Sequence, residues 1–382
     1  MKVRIKVVDK TSRSTGDGLD PFKLPALNAD PLVSVLIASY NYAHYIGQAI
    51  ESVLRQTYQK FEVIVCDDGS IDNSCEVIEA YASRHARVKM IRKTNGGQAS
   101  ALNAAYARSS GEIICLLDSD DLFMPEKLEV ITRRFLQEPQ AGLMLHALTM
   151  VDQFGAEIQR IPFLSPFETG WIAERVIRRG GRFRNVPTCA LSLRREAAEL
   201  VFPIPEETFI SCPDGFIFTV LPLLTEIGAS PEVLAQHIIH GTNLGGTTVG
   251  TSPEISRQSL ADVWRVLDGA NSRLEQMGYI ERKLNPDDNL TLIEQRLCLV
   301  LMEGNPRPAL ARDYLRYSTL LLRDDMFGGI QKLAYLVIYG VAVVLPFSQR
   351  RRWLEWAFGA ALKLHARKAV EFIKRPFQFK RR

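Results

Sequence analysis

The sequence contains no C-x-x-C pair, no apolar run of the ~20 residues a membrane-spanning helix needs, and no apolar stretch in its first twenty residues. Each absence removes a class of protein. The six cysteines, Cys66, Cys75, Cys115, Cys189, Cys212 and Cys298, are widely scattered, which fits a reducing cytoplasm better than a disulfide scaffold. The start, MKVRIKVVDKTSRSTGDGLD, lacks the apolar centre of a secretory signal. The first strand-like run leads into SYNYAHY and not into G-x-G-x-x-G, so a dinucleotide-dependent oxidoreductase, which would share an alternating α/β pattern, is set aside.

What is present is the balance of a folded protein: 46% hydrophobic and 24% charged residues in a chain of 382. That length exceeds the usual ~100–200 residues of one domain. The net charge of +4 conceals an asymmetry, because the residues from Gln349 onward carry eleven Lys or Arg against Glu355 and Glu371. A basic end on a slightly acidic body points to a local contact with anionic lipid, and argues against a nucleic-acid surface spread over the fold.

Four regions are expected. Residues 1–30 are polar and read as an extended or mobile leader, 31–250 as an α/β domain, 251–325 as a helical extension, and 326–382 as an apolar and basic membrane-associating end. In the second region, apolar runs at 33–38, 61–66, 88–91, 112–117 and 143–151 alternate with helical periodicity at 45–54, 73–83, 99–108 and 125–136. That alternation predicts a mostly parallel sheet flanked by helices. From 171 to 250 helix-like stretches (171–179, 214–227) alternate with strand-like ones (186–193, 233–239). Helices are expected over 260–277, 290–303 and 309–322. The fifteen apolar residues 333–347, beside Arg350, Arg351, Arg352, Trp353 and Trp356, suit an interfacial element on the cytoplasmic leaflet or a buried core helix.

Ligands of parallel sheets bind at the carboxyl ends of the strands, and polar residues gather at those ends: Ser39, Tyr40 and Asn41; Asp67, Asp68 and Gly69; Asn95, Gly96 and Gly97; Asp118 to Asp121. In LLDSDD (116–121) two carboxylates, Asp118 and Asp120, can hold a hard divalent cation that takes phosphate oxygens as further ligands, or else Asp120 or Asp121 caps the helix opened by Pro125. In CDDGS (66–70), Asp67 and Asp68 can accept from a nucleobase or ribose, or form a turn. Gly96 and Gly97 can bring amides to a phosphate, or make a plain loop.

VSVLIASYN, CDDGS, NGGQASALNAA and LLDSDDLFMPEKL, in this order over about residues 32–250, resemble the family-2 inverting glycosyltransferases of the GT-A fold. The resemblance implies an α/β GT-A sheet with a C-terminal helical extension, a UDP-, GDP- or dTDP-sugar donor, and Mg²⁺ or Mn²⁺. It implies donor binding by Ala38, Tyr40, Asn41, Asp67, Asp68, Asn95, Gly97, Asp118 and Ser119, with Asp118 and Asp120 at the metal. Inversion needs a base for the acceptor hydroxyl. SCPDGFIF (211–218) offers Asp214 at the corresponding place, though Pro213 stands where many members have Glu, and Asp214 would also serve as a helix cap. HIIHGTNLGG (237–246) resembles the family's His-x-x-Asn element, giving His240 and Asn243 beside metal or diphosphate.

The expected protein is therefore a transferase acting at the inner face of the plasma membrane, on a glycan or lipid-linked acceptor, in making a surface polysaccharide, lipopolysaccharide or glycolipid. The alternative is a non-catalytic sugar-nucleotide-binding or scaffold subunit. It is disfavoured because a scaffold has no need of the full set of carboxylates.

Overall fold

The computed structural model describes residues 20–162, 166–183, 186–210, 212–240, 253–279, 282–303, 307–354 and 356–357. The alternation read from the sequence is realised as β1 (Val33–Ser39), α1 (Ile46–Leu54), β2 (Phe61–Asp67), α2 (Ser74–Arg84), β3 (Val88–Arg92), α3 (Gln98–Arg108) and β4 (Ile113–Asp118). Then come β5 (Leu122–Phe123), α4 (Lys127–Gln137), β6 (Ala141–Asp152), β7 (Glu157–Ile161), α5 (Ala173–Arg178), β8 (Leu191–Arg194), α6 (Arg195–Val201), α7 (Pro213–Val220) and β9 (Glu226–Ile239). β1, β2 and β4 are continuous apolar runs because helices cover both of their faces; Val35, Leu36, Ile37, Val63, Ile64 and Leu116 are fully buried. The apolar side of α1 (Ile46, Ala49, Ile50, Val53) is buried at three-and-four spacing.

Among the described residues the strands form one nine-stranded sheet in the order β3-β2-β1-β4-β8-β6-β9-β5, with β7 on β6. The first half is parallel, and its register sets Ser39 beside Asp67 and Ala38 beside Asp118. The second half is mixed: β8 is antiparallel to β4 and β6, whereas β9 is parallel to β6.

Three features differ from the sequence reading. The helix expected over 214–227 stops at Val220, because Pro222 has no N–H to continue the ladder. The chain tightens into a 3₁₀ turn, Leu221–Leu223, and Ile227 joins β9. Residues 20–30 of the expected leader are packed on the fold. Leu24 is buried, the Phe22 N–H donates to the Leu224 carbonyl at 2.7 Å, and Arg194 reaches the Pro25 carbonyl at 2.9 Å. The chain divides into two compact units inside α8 (Pro253–Gln276), so that residues 265–285 belong with the first unit and not with a separate extension beginning at 251. Arg273 fastens that segment: its guanidinium, nearly buried, donates to the carbonyls of Leu200 (3.2 Å) and Pro203 (2.6 Å).

The second unit contains α9 (Leu290–Glu303), α10 (Arg307–Arg323) and α11 (Gly329–Val344). Tyr339 of α11 is fully buried, donating to Glu294 of α9 at 2.8 Å and meeting Tyr317 of α10 edge-on at 4.9 Å. No helix among the described residues is long and apolar enough to cross a membrane.

Candidate functional site

The loops at the carboxyl ends of β1, β2 and β4 bring most of the predicted residues to one edge of the first unit. After β1, Asn41 takes a left-handed conformation (φ 60°), with its amide N–H donating to Ser70 Oγ at 2.9 Å and its side chain accepting from Ile71 N–H at 2.9 Å. This locks the β1 and β2 loops together. Tyr40 beside it is exposed. Asp67 accepts from Ser70 N–H and from the Cys75 thiol, both at 3.1 Å. Burial, together with Asp67, pushes that thiol up to about 11. The other carboxylate oxygen, Asp67 Oδ1, and the hydroxyl of its register neighbour Ser39 are buried with no hydrogen-bond partner among the described residues. Buried polar atoms are nearly always satisfied, so this adjacent pair marks where a polar ligand group would fit.

Asp68 behaves differently. Its carboxylate accepts from Lys93 Nζ at 2.7 Å, from Gly96 N–H at 3.1 Å and from Gly97 N–H at 2.7 Å. The two glycine amides expected to meet a phosphate are thus turned onto this protein carboxylate. Gly97 needs to be glycine: its φ is +89°, and a Cβ there would lie 2.6 Å from the Ile210 carbonyl. Asn95 is exposed on the same loop.

In the loop after β4, the Ser119 hydroxyl donates to the Ala38 carbonyl at 2.6 Å and so ties this loop to β1. Asp118 Oδ1 accepts from Gln98 Nε2 at 2.9 Å. Burial, with Asp121, Asp120 and Asp214 close by, holds the Asp118 carboxyl well above the usual range. Asp120 is also raised, by burial and by Asp121, against the pull of His240. His240 Nε2 lies 2.9 Å from Asp120 Oδ2, its ring stacked on Tyr45 at 4.7 Å and edge-on to Tyr42 at 6.1 Å. Burial and the neighbouring Asp120 push the Tyr42 phenol up to about 12. The structure therefore joins Asp120 and His240, 120 residues apart in the sequence. Asn243 lies outside the described residues.

Asp214 sits in the first turn of α7, after Cys212 in a left-handed conformation (φ 55°). Burial raises its carboxyl, and Gly215 N–H opposes that rise. Gln98 ties this turn to the metal-motif loop. Its side-chain oxygen accepts from Cys212 N–H at 3.3 Å while its amide nitrogen holds Asp118.

The sequence reading did not single out Gln98, Tyr42, Tyr45, Lys93 or His237. SYNYAHY directly after β1 was a local hint for the tyrosines; the others depend on long-range neighbours. His237 Nδ1 lies 2.9 Å from Asp121 Oδ1, and Ile238 N–H donates to the same carboxylate at 3.1 Å, so Asp121 clamps the end of β9 that carries His240. Despite burial, the His237 ring is raised by Asp121, Asp118 and Asp120. Asp121, Cys189 and His237 also lie close enough to share a metal ion. Burial and Asp121 hold the Cys189 thiol well above its ordinary value, and the Lys127 ammonium donates to the Cys189 carbonyl at 2.6 Å.

Among the described residues, this edge offers an orphaned acceptor beside a hydroxyl and a cluster of mutually repelling carboxylates, one of them, Asp214, at a helix N-terminus. The family model described as Glycosyl transferase family 2 matches residues 34–201. An uncharacterized glycosyltransferase of Nostoc sp. is 34% identical over 248 residues, 65% of this chain and 77% of that protein. Hyaluronan synthase of Pasteurella multocida is 42% identical over 118 residues, 31% of this chain and 12% of the synthase. The crystal structure of S. aureus TarS in complex with UDP is similar with a TM-score of 0.49 and 17% identity, covering 85% of this chain and 90% of that one. The strand-end motifs and the Nostoc relative, most of whose length is spanned, place the chain in glycosyl transferase family 2.

Proposed function

We propose that this protein is an inverting glycosyltransferase that moves a sugar from a nucleoside-diphosphate sugar to a hydroxyl of a glycan or lipid-linked acceptor. In this reading it contributes to a surface polysaccharide, lipopolysaccharide or glycolipid, and works at the cytoplasmic face of the plasma membrane. The observation that carries it is the carboxylate cluster Asp118, Asp120, Asp121 and Asp214. Like charges gathered in a half-buried site are unfavourable unless a cation is to join them. The residues fit Mg²⁺ or Mn²⁺, hard ions that prefer oxygen ligands and retain open positions for phosphate. Asp118, Asp120 and His240 would hold the ion, which when bound would neutralise the charge of the leaving diphosphate.

The chain's own residues supply the rest. Tyr40 offers an exposed ring for a nucleobase, and Asp67 Oδ1 with Ser39 Oγ offers an acceptor and a hydroxyl for its polar edge or the ribose. Ala38, Asn41, Asp68, Gly97 and Ser119 order the surrounding loops through the contacts above, with Asn95 exposed on the same edge. Asp214, made more basic by burial, takes the acceptor proton as the acceptor oxygen attacks the anomeric carbon and the bond to diphosphate breaks. Hyaluronan and chondroitin synthases among the relatives support a polysaccharide product, although the chain spans only 12% and 14% of the two Pasteurella enzymes.

The test is release of nucleoside diphosphate from a panel of UDP-, GDP- and dTDP-sugars with Mn²⁺. One donor should turn over with the wild type and stop with Asp214→Asn, while calorimetry still shows that variant binding the donor. No cation-supported binding of any donor would overturn the reading.

A further inference from the structure

Helix α11 is amphipathic in an inverted sense. Its buried face carries Tyr339 and Ala342, with Gly340 close to the Tyr314 hydroxyl of α10. The aliphatic residues Ile330 (79% exposed), Leu333 (63%), Val337 (53%) and Val344 (78%) face outward. These positions follow three-, four- and seven-residue steps and so form one stripe. A stripe of large exposed aliphatics on one helix marks an interaction surface.

The geometry beyond the helix extends this surface. Arg350 is buried, donating through Nε to the Leu345 carbonyl at 3.1 Å, and the Trp353 indole donates to the Ile338 carbonyl at 2.8 Å. These bonds fold the helical segment 347–354 back beside α11, with Arg351 and Arg352 exposed. Exposed Phe347 and Trp356 flank them.

Charge selects the occupant. Residues 329–354 contain no Asp or Glu but include Lys332, Arg350, Arg351 and Arg352, and residues 355–382 add eight Lys or Arg against Glu355 and Glu371. A second copy, or residues 358–382 themselves, would bring further charge of the same sign beside Arg351 and Arg352. With 16 residues, α11 is too short to span a bilayer. Aliphatics on one face, aromatics at the end and arginines beside them are the composition of a helix lying in the headgroup region of an anionic leaflet.

We infer that the outward stripe of α11, with Arg351 and Arg352, is the surface by which this protein docks in-plane on anionic lipid. The inference rests on the proposed membrane-face function and deepens it by naming the docking face. Vesicle binding is read without turnover and turnover without vesicles, so the two fail separately.

The experiment is co-sedimentation of the full chain with phosphatidylcholine vesicles with or without phosphatidylglycerol. Wild type should bind the mixed vesicles, and Arg351→Gln/Arg352→Gln should lose most of the preference for them. Leu333→Glu/Val337→Glu should bind about ten-fold or more weakly. The altered side chains face solvent, so circular dichroism and donor turnover in solution should match wild type. Unchanged binding by Leu333→Glu/Val337→Glu would overturn the inference. So would a wild-type dimer that this variant separates into monomers, since the stripe would then bind a second copy.

Discussion

The two acidic loops of the sheet edge look alike in the sequence and differ in what surrounds their carboxylates. Asp68 is saturated: a lysine and two glycine amides donate to it. Asp118 receives an amide from Gln98 and a side-chain hydrogen bond from Thr188, but it also faces Asp120, Asp121 and Asp214, whose charges with burial drive its carboxyl upward. A carboxylate with such donors organises its loop. One surrounded by its own kind is costly to the resting fold, and the cost is recovered when a cation arrives.

This contrast can be broken by substitution. The largest effect should come from Asp214→Asn, lowering kcat by about 10²–10⁴ with little change in donor affinity, read from diphosphate release and calorimetry. Asp120→Asn should lower kcat/KM by about 10²–10³ and weaken Mn²⁺ binding. Its melting temperature without cation should hold or rise, because one repelling charge is gone. A marked fall would place Asp120 with the structural carboxylates.

Asp68→Asn should do the opposite, costing roughly 2 kcal/mol in denaturant unfolding by leaving Lys93 and a glycine amide poorly paired. A variant as stable as wild type would erase the distinction between the loops.

Glu62 supplies a pH control away from the site. It is nearly buried, accepts from the Ser34 hydroxyl at 2.6 Å and from Ser110 N–H at 2.7 Å, and pairs with Lys89 at 2.6 Å. Burial disfavours its charge, but Lys89, Ser34 and Ser110 outweigh that and hold its carboxyl at about 2. Because the folded value lies below the unfolded one, the stabilisation is present above pH ~4.5 and is lost as pH falls toward about 2. Lys89 is half-exposed and screened, so Glu62→Gln should cost only about 1–2 kcal/mol at neutral pH. The difference from wild type should close on acidification, as followed by urea titration at several pH values.

The smallest effect is expected from Gln98→Ala. Releasing the Asp118 carboxylate and the Cys212 amide should lower kcat by about ten-fold through misplacement of Asp214, with the fold intact. Restoration by Gln98→Glu would count against an amide bridge, since a second carboxylate cannot donate to Asp118.

Much of this was legible in local pattern. Continuous apolar runs for β1, β2 and β4 and three-and-four spacing for α1 depend on a few neighbouring residues, and their order dictates which side chains reach the sheet edge. The misread stretches are those where a distant partner or a backbone exception decided. Pro222 ended a helix that apolar periodicity would have continued, and residues 20–30 look polar yet lie under Arg194 and Arg282. That the Ser119 hydroxyl meets Ala38 and the glycine amides of 96–97 meet Asp68 was likewise hidden, because parallel register decides those contacts.

From the sequence alone came the α/β class, the family resemblance, and the gathering of Asp67, Asp68, Asp118 and Asp120 at strand ends, because strand and helix periods are short-range properties. Tertiary structure alone decided which carboxylates are saturated and which repel, that His240 meets Asp120, that Gln98 links Asp118 to the turn bearing Asp214, and that α11 turns its aliphatic side outward. These outcomes depend on register, loop conformation and packing between residues up to about a hundred and twenty positions apart, and no local period encodes such distances.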